Sequence, residues 1–223
     1  MRGGGKRYSV LELGSGTGKH AVLLAQRGYK VCGIERSEEM LGQASVRAEN
    51  VQGVSFVASD IRDFSIEQSF DAAIALFHVM SYQTETEGFL AVLRNVWSHL
   101  KENGVFIFDA WYGPAVLTEK PEVRVRRLEN EKYRITRIAE PVARFNENIV
   151  DVHYDVFVES KRDFKFKKIN EIHSMRYYFL PEVRLMLNIC GFRLEKACEF
   201  MTDCELGERT WGSLFAARKR KNI

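Results

Sequence analysis

The chain has 223 residues, 45% of them hydrophobic and 12% aromatic, which is enough apolar material for a substantial core. No apolar stretch reaches the length a bilayer demands and no signal-peptide pattern opens the chain, which predicts a soluble, cytoplasmic protein without membrane contact. A formal net charge of +3 leaves no strong footprint for nucleic acid, and the short Arg218-Lys219-Arg220-Lys221 run reads as a solvated terminus.

In chain order, Val10-Leu11-Glu12-Leu13 reads as a strand, Gly14-Ser15-Gly16-Thr17-Gly18 as a glycine turn into a helix, and Lys30-Val31-Cys32-Gly33-Ile34-Glu35 as a second strand ending in a carboxylate. The glycines let the backbone turn sharply and approach a ligand, the helix N-terminus offers free amides, and Glu35 is placed to grip a ribose diol. Such a unit binds a nucleoside cofactor. A phosphate-binding P-loop would need glycine where Leu13 stands and Ser or Thr where His20 follows Gly18-Lys19. The dinucleotide fingerprint would need its third glycine at Lys19. The order Gly14-x-Gly16-x-Gly18, two residues after the acidic Glu12, resembles instead the first motif of class I S-adenosylmethionine-dependent methyltransferases.

Arg36-Ser37-Glu38-Glu39 opens a second helix with Ser37 as its cap, and Met40 is expected to pack in that helix, although its family counterpart often touches the adenine edge. Val54 to Ser59 forms a third strand ending in Asp60-Ile61-Arg62-Asp63. Taken singly, Asp60 and Asp63 are turn caps. Their place at the carboxyl end of successive parallel strands favours a ligand, because open sheets bind there. The resemblance implies that Asp60 lies near the adenine amino group and that Ile61 packs on the ring. Phe70 to His78 is a fourth, buried strand, whose end at Leu76 and Phe77 resembles the family stretch beside the methionine part of the cofactor. The expected cofactor set for S-adenosyl-L-methionine is thus Glu12, Gly14, Ser15, Gly16, Gly18, His20, Glu35, Arg36, Met40, Asp60, Ile61, Leu76 and Phe77, with His20 a packing residue rather than a catalyst.

Phe89, Val92, Leu93, Val96, Trp97 and Leu100 recur at helical spacing; Lys101-Glu102-Asn103-Gly104 supplies a stop, and Val105 to Asp109 starts a fifth strand. From residue 112 the pattern changes to polar and apolar alternation over Glu122 to Leu128, Lys132 to Ala139, Ile149 to Glu159 and Phe164 to Tyr178, with Asn146-Glu147-Asn148 as a turn. This predicts an inserted antiparallel sheet of three or four strands. Val152, Tyr154, Val156 and Val158 fall on one face, and Asp151, His153, Asp155 and Phe157 on the other. Leu180-Pro181 leads a helix to about Cys190, closed by Gly191, and residues 193–200 and 212–218 form a final antiparallel pair. Cys32, Cys190, Cys198 and Cys204 contain no Cys-x-x-Cys pair, so neither a zinc or other metal site nor a disulfide framework is expected. The expected fold is α/β: a Rossmann-like seven-stranded methyltransferase sheet with an antiparallel insertion. The division is 1–111 for the cofactor-binding core, 112–178 for the insertion and 179–223 for the rest of the core.

Neither the Asp/Asn-Pro-Pro-aromatic stretch of nucleobase amino methyltransferases nor a Pro-Cys nucleophile is present, which points away from nucleic acid. The insertion, with Glu171-Ile172-His173-Ser174-Met175-Arg176-Tyr177, is similar to methyltransferases acting on amino groups of nucleotide-linked sugars, and in part to glycine and other small-amine methyltransferases. The resemblance implies a small-molecule acceptor, an amine first and an oxygen nucleophile second. An amine must be neutral to attack, and His78, Tyr82 and His173 are the candidate catalytic groups. Trp111 and Tyr112 are placed to wall the acceptor pocket. The insertion is read as a cover for substrate, a homodimer interface, or both. Members of this class carry helices before the first strand, whereas only Met1 to Arg7 precede it here, so weak cofactor binding or a lid from elsewhere is expected, and a noncatalytic partner subunit is the rival reading.

Overall fold

The computed structural model describes residues 8–221, so the expectation about the segment before the first strand falls on residues outside those described. Strand β1 (Ser9–Leu13) is buried at every position and forms the centre of a parallel sheet. After it come α1 (Lys19–Gln26), β2 (Lys30–Glu35), α2 (Glu38–Ala48), β3 (Val54–Ala58) and β4 (Phe70–Ala75). A 3-10 turn, Val79–Tyr82, leads to α3 (Thr86–His99) and β5 (Leu100–Tyr112). The parallel order is β3-β2-β1-β4-β5, so the chain reverses its direction of travel across the sheet between β1 and β4. Ligands of open α/β sheets bind in the crevice at that switch point.

The seven-stranded sheet is completed by β10 (Phe192–Glu199) and β11 (Gly212–Lys219), which follow α5 (Leu180–Ile189). Strand β11 lies antiparallel to β5 over residues 105–111, and β10 pairs with β11. Strand β5 begins earlier than the sequence suggests. Leu100 already pairs with Phe70, and the Lys101-Glu102-Asn103-Gly104 segment is taken into the strand as an irregularity, with Asn103 at φ +59°. An Asn-Gly step accommodates a left-handed residue without leaving the ladder, so a turn signal here marks a bulge.

Between β5 and β9 the insertion contributes α4 (Gly113–Glu119), β6 (Arg124–Glu129), β7 (Tyr133–Arg144) and β8 (Ile149–Ser160), and β9 spans Phe166–Tyr178. These four strands are an antiparallel meander, with Val152 opposite His173 and Tyr154 opposite Glu171. Directly opposite residues share a face, so Val152, Tyr154, Glu171 and His173 lie side by side. The helix α4 went unread in the sequence although Gly113-Pro114 is a helix-start signal, with Pro at the first turn. The meander is continuous with the core sheet. Where β4 stops, opposite Phe108, β5 runs on, and its last residues Trp111 and Tyr112 pair in parallel with Tyr177 and Tyr178 of β9.

The main core packs α3 and α5 on one sheet face. Phe89, Val92, Leu93 and Val96 form the buried stripe of α3 against Leu11, Phe106 and Phe108, and Val183 and Leu187 do the same for α5. Each such side chain contributes roughly 1.5–3 kcal/mol by leaving water. The opposite face is covered by α1 through Ala21 and Ala25 against Val10 and Val31. A third cluster, Val116, Val150, Val152, Met175 and Tyr177, roots the meander on the core. Among the described residues no helix is long and apolar enough to cross a membrane.

Candidate functional site

The turn after β1 is built from left-handed glycines: Gly14, Gly16 and Gly18 have φ of +61°, +53° and +72°. Two of them face protein. A Cβ on Gly14 would lie 2.8 Å from Val79, and one on Gly18 2.7 Å from the Phe56 ring. Gly16 differs, because its missing Cβ faces open space and the nearest atom is the Met40 sulfur at 3.9 Å. The backbone there is bare toward a cavity of about 440 Å³ lined by Gly14, Gly16, Glu35, Met40, Ile61 and Tyr82 among others.

Glu35, at the tip of β2, is held in that cavity by two amides. Gly16 N–H donates to Oε2 at 2.8 Å and Ser37 N–H to Oε1 at 2.9 Å. Each carboxylate oxygen keeps a free lone pair. Two adjacent hydroxyls of a ribose fit that pair of acceptors. Ser37 also caps α2, accepting from Met40 N–H, which places the Met40 side chain at the cavity wall. Met40 therefore lines the cavity, half exposed, and is not part of the helix core. Ile61 and Val79 supply further apolar wall, suitable for a flat base.

Asp60 also borders the cavity, but its carboxylate is gripped by its neighbour: Arg62 donates Nε–H to Oδ1 at 2.9 Å and an Nη–H to Oδ2 at 2.8 Å. That fork holds the Asp60 carboxyl below its ordinary range. Arg36 completes the polar rim. From the insertion, His173 enters the same cavity and meets Tyr82, whose hydroxyl lies 2.7 Å from Nδ1 of the imidazole. On its other side, His173 Nε2 is 3.1 Å from Oε2 of Glu171. Tyr178 ties the two elements together: its hydroxyl donates to the carbonyl of Gln83 at 2.7 Å, and burial pushes its phenol well above the ordinary value.

Of the residues singled out in the sequence, Gly14, Gly16, Glu35, Arg36, Met40, Asp60, Ile61, Tyr82 and His173 surround this cavity. Ser15 and Gly18 lie behind it as parts of the turn; Ser15 N–H donates to the Ile34 carbonyl, and Gly18 caps α1. Glu12, His20, Leu76, Phe77 and His78 gather beyond the glycine loop. Glu12 is buried, with one oxygen 3.3 Å from His20 Nδ1 and Oε2 without a partner among the described residues; burial pushes its carboxyl up to about 7. His20 stacks on Phe77 at 5.1 Å, and Phe77 meets Phe200 edge-on.

At the end of β4, just past Leu76, Phe77 and His78 are both left-handed, at φ +64° and +66°. Two such non-glycine residues in succession store strain of order 1–3 kcal/mol each. Asp109, fully buried in β5, holds the bend: its Oδ2 accepts from His78 N–H at 3.0 Å and lies 2.7 Å from His78 Nδ1. Val79 and Gln83 line the cavity without having been singled out in the sequence, and Asp109 and Glu171, named there only within longer stretches, hold His78 and His173. The signals were present: Asp109 stands toward the carboxyl end of a core strand, and Glu171 is two residues from His173, hence on one strand face.

Residues 10–104 match the family model described as a methyltransferase domain. A Bacillus subtilis (strain 168) protein provisionally named methyltransferase YqeM is 26% identical over 215 residues, covering 96% of this chain and 85% of that protein. The dTDP-3-amino-3,4,6-trideoxy-alpha-D-glucopyranose N,N-dimethyltransferase of Streptomyces venezuelae is 24% identical over 187 residues, covering 84% and 76%. Among solved structures, the SAM-bound amino pentose methyltransferase CalS10 of Micromonospora echinaspora superposes with a TM-score of 0.75 at 20% identity, over 96% of this chain and 84% of that one.

Proposed function

For this chain, an S-adenosylmethionine-dependent methyltransferase, we propose that the acceptor is an amino group on a nucleotide-linked sugar or a comparable small amine. The observation that carries the reading is the shared cavity, lined by the open Gly16 backbone and the Glu35 carboxylate and also by Tyr82 and His173. A relative that acts on an amino sugar supports the acceptor class.

In this reading Glu35 receives the ribose hydroxyls, and Met40 and Ile61 sandwich the base. Asp60, with Arg62 on its carboxylate, borders the adenine edge through the atoms left free. Glu12, His20, Leu76 and Phe77 flank the methionine end. The cofactor supplies an activated methyl group on a sulfonium sulfur. The protein has only to hold the amine lone pair in line behind that methyl carbon, and orientation of this kind supplies much of the rate. Tyr82 and His173 face the acceptor and take its proton, whereas His78, fixed by Asp109, is outside that cavity lining and shapes the bend after β4. The same reading takes the enzyme as cytoplasmic and gives a homodimer contact to the insertion, whose outer strand β6 ends the sheet order.

The test is a thermal-shift titration with S-adenosylhomocysteine, with NAD in parallel, followed by mass detection of methylated amino sugars. Selective stabilisation by S-adenosylhomocysteine and a product heavier by one or two methyl groups are expected. No shift with either nucleotide overturns the cavity assignment, and cofactor binding without methylation of any amine overturns the acceptor assignment.

A further inference from the structure

Tyr82, His173 and Glu171 form a directed line, although the three residues come from two distant parts of the chain. The Glu171 carboxylate can only accept, so the nitrogen facing it at 3.1 Å, His173 Nε2, must carry the hydrogen. In a neutral imidazole the other nitrogen, Nδ1, is then an acceptor. The Tyr82 hydroxyl at 2.7 Å consequently donates toward His173, leaving the lone pairs of its oxygen turned to the cavity that both residues line. An aromatic contact holds the imidazole as well: the Tyr154 ring lies 5.0 Å from it in a T-shaped arrangement, and Arg137 lies over that tyrosine. Strand β9 is fastened beside the Tyr82 turn by Tyr178 on the Gln83 carbonyl and by Arg176 on Thr84 and Thr86.

We propose that Glu171 is a positioning residue that fixes His173 as the Nε2–H tautomer, and thereby makes Tyr82 the proton acceptor for the amine substrate. This rests on the function proposed above and assigns the direction of proton flow within it. The substrate enters as its ammonium, one of whose N–H protons passes to the Tyr82 oxygen as the phenol's own hydrogen moves to His173 Nδ1, leaving the neutral amine. The resulting imidazolium is neutralised by Glu171, which stays ionised. The nitrogen keeps the electron pair of the broken N–H bond as its lone pair, and that pair forms the new N–C bond as the sulfur–methyl bond breaks. With the opposite tautomer, Nδ1–H would donate to Tyr82 and the line would run backwards.

The experiment reads the His173 tautomer directly, by long-range proton–nitrogen NMR on the full chain, assigned with a His173→Asn control. The unaltered protein is expected to show Nε2–H. In Glu171→Lys the ammonium donates to Nε2 and the spectrum is expected to switch to Nδ1–H. With S-adenosylmethionine and a nucleoside-diphosphate amino sugar, kcat is expected to fall at least about tenfold, while affinity for S-adenosylhomocysteine stays within about twofold. Glu171→Asp is expected to restore the Nε2–H signal and most of kcat. An unchanged tautomer, or an unchanged kcat, in Glu171→Lys overturns the proposal. Should that variant fail to fold, Glu171→Gln, which keeps the length and removes the charge, is expected to give mixed tautomers and reduced kcat, and wild-type behaviour in both overturns it. If the unaltered protein does not methylate the amino sugar, the acceptor reading fails, and the tautomer comparison alone decides whether Glu171 orients His173.

Discussion

The amide of Gly16 donates to Oε2 of Glu35 across 2.8 Å, so the glycine turn and the acid at the tip of the next strand are one hydrogen-bonded unit. Each fixes the other. The turn is closed without a side chain where it borders the cavity, and the carboxylate is oriented before any ligand arrives.

Replacing Glu35 by alanine removes the carboxylate that the proposed reading gives to the ribose hydroxyls and frees two backbone amides, those of Gly16 and Ser37. Affinity for S-adenosylhomocysteine, measured by calorimetry, is expected to fall by about 1–3 kcal/mol, and Glu35→Gln, which keeps one acceptor, by less. An unchanged affinity in Glu35→Ala would remove Glu35 from the binding site.

Two neighbouring glycines are expected to fail in different ways. Gly16→Ala places a methyl in open space, so its cost to folding is limited to about 1–2 kcal/mol of left-handed strain, and its main effect is to push a ligand away from the turn. Gly18→Ala adds a collision with Phe56 and Ala44 and should cost about 1–3 kcal/mol more, with a smaller direct effect on binding. Urea unfolding combined with calorimetry separates the two; equal losses of stability would count against the difference.

Glu12 gives the unliganded protein a pH dependence. Its carboxyl is raised by burial from the ordinary 4.5 to about 7, the Ala21 amide acting in the opposite direction. A raised carboxyl favours the neutral form in the fold. The stability this provides is complete below pH 4.5 and is lost as pH rises through about 7. The loss is on the order of 3 kcal/mol. Glu12→Gln should flatten the stability profile between these limits and leave the protein more stable than the parent at pH 8. A parent profile without that decline would contradict the assignment.

The His78–Asp109 contact is expected to show coupling. His78→Phe retains a ring against Trp111 and Phe200 but leaves a fully buried carboxylate with only one backbone amide, at a cost of about 2–4 kcal/mol. Asp109→Asn in the same chain removes the charge, so the double variant should be more stable than the sum of the single losses predicts. Additive losses in urea unfolding would show that the two side chains do not act as a pair.

Much of the core was legible because its signals are local. Apolar runs bounded by glycine specify β1 and β2, the stripe through Phe89 and Val96 specifies α3, and alternation specifies the meander strands. The glycine turn was readable for the same reason: its residues lie within a segment of the chain short enough for spacing alone to define their geometry. The start of β5 was misread because Asn103-Gly104 has the composition of a stop, and only pairing of Leu100 with Phe70 keeps that segment in the sheet.

The sequence alone determined that a glycine turn and a strand-tip carboxylate stand together, since the connection from Gly14 to Glu35 leaves the chain little choice. It also determined that the middle region is a sheet. Only the tertiary structure decided which polar groups meet. Tyr82 and His173 are 91 residues apart, and Asp109 and His78 31 apart. Their contacts depend on β9 joining β5 beyond the end of β4, and on a strained bend at His78 held by a buried acid. Periodicity gives the face on which a side chain lies; which distant residue it meets is set by the packing of elements that no local pattern encodes.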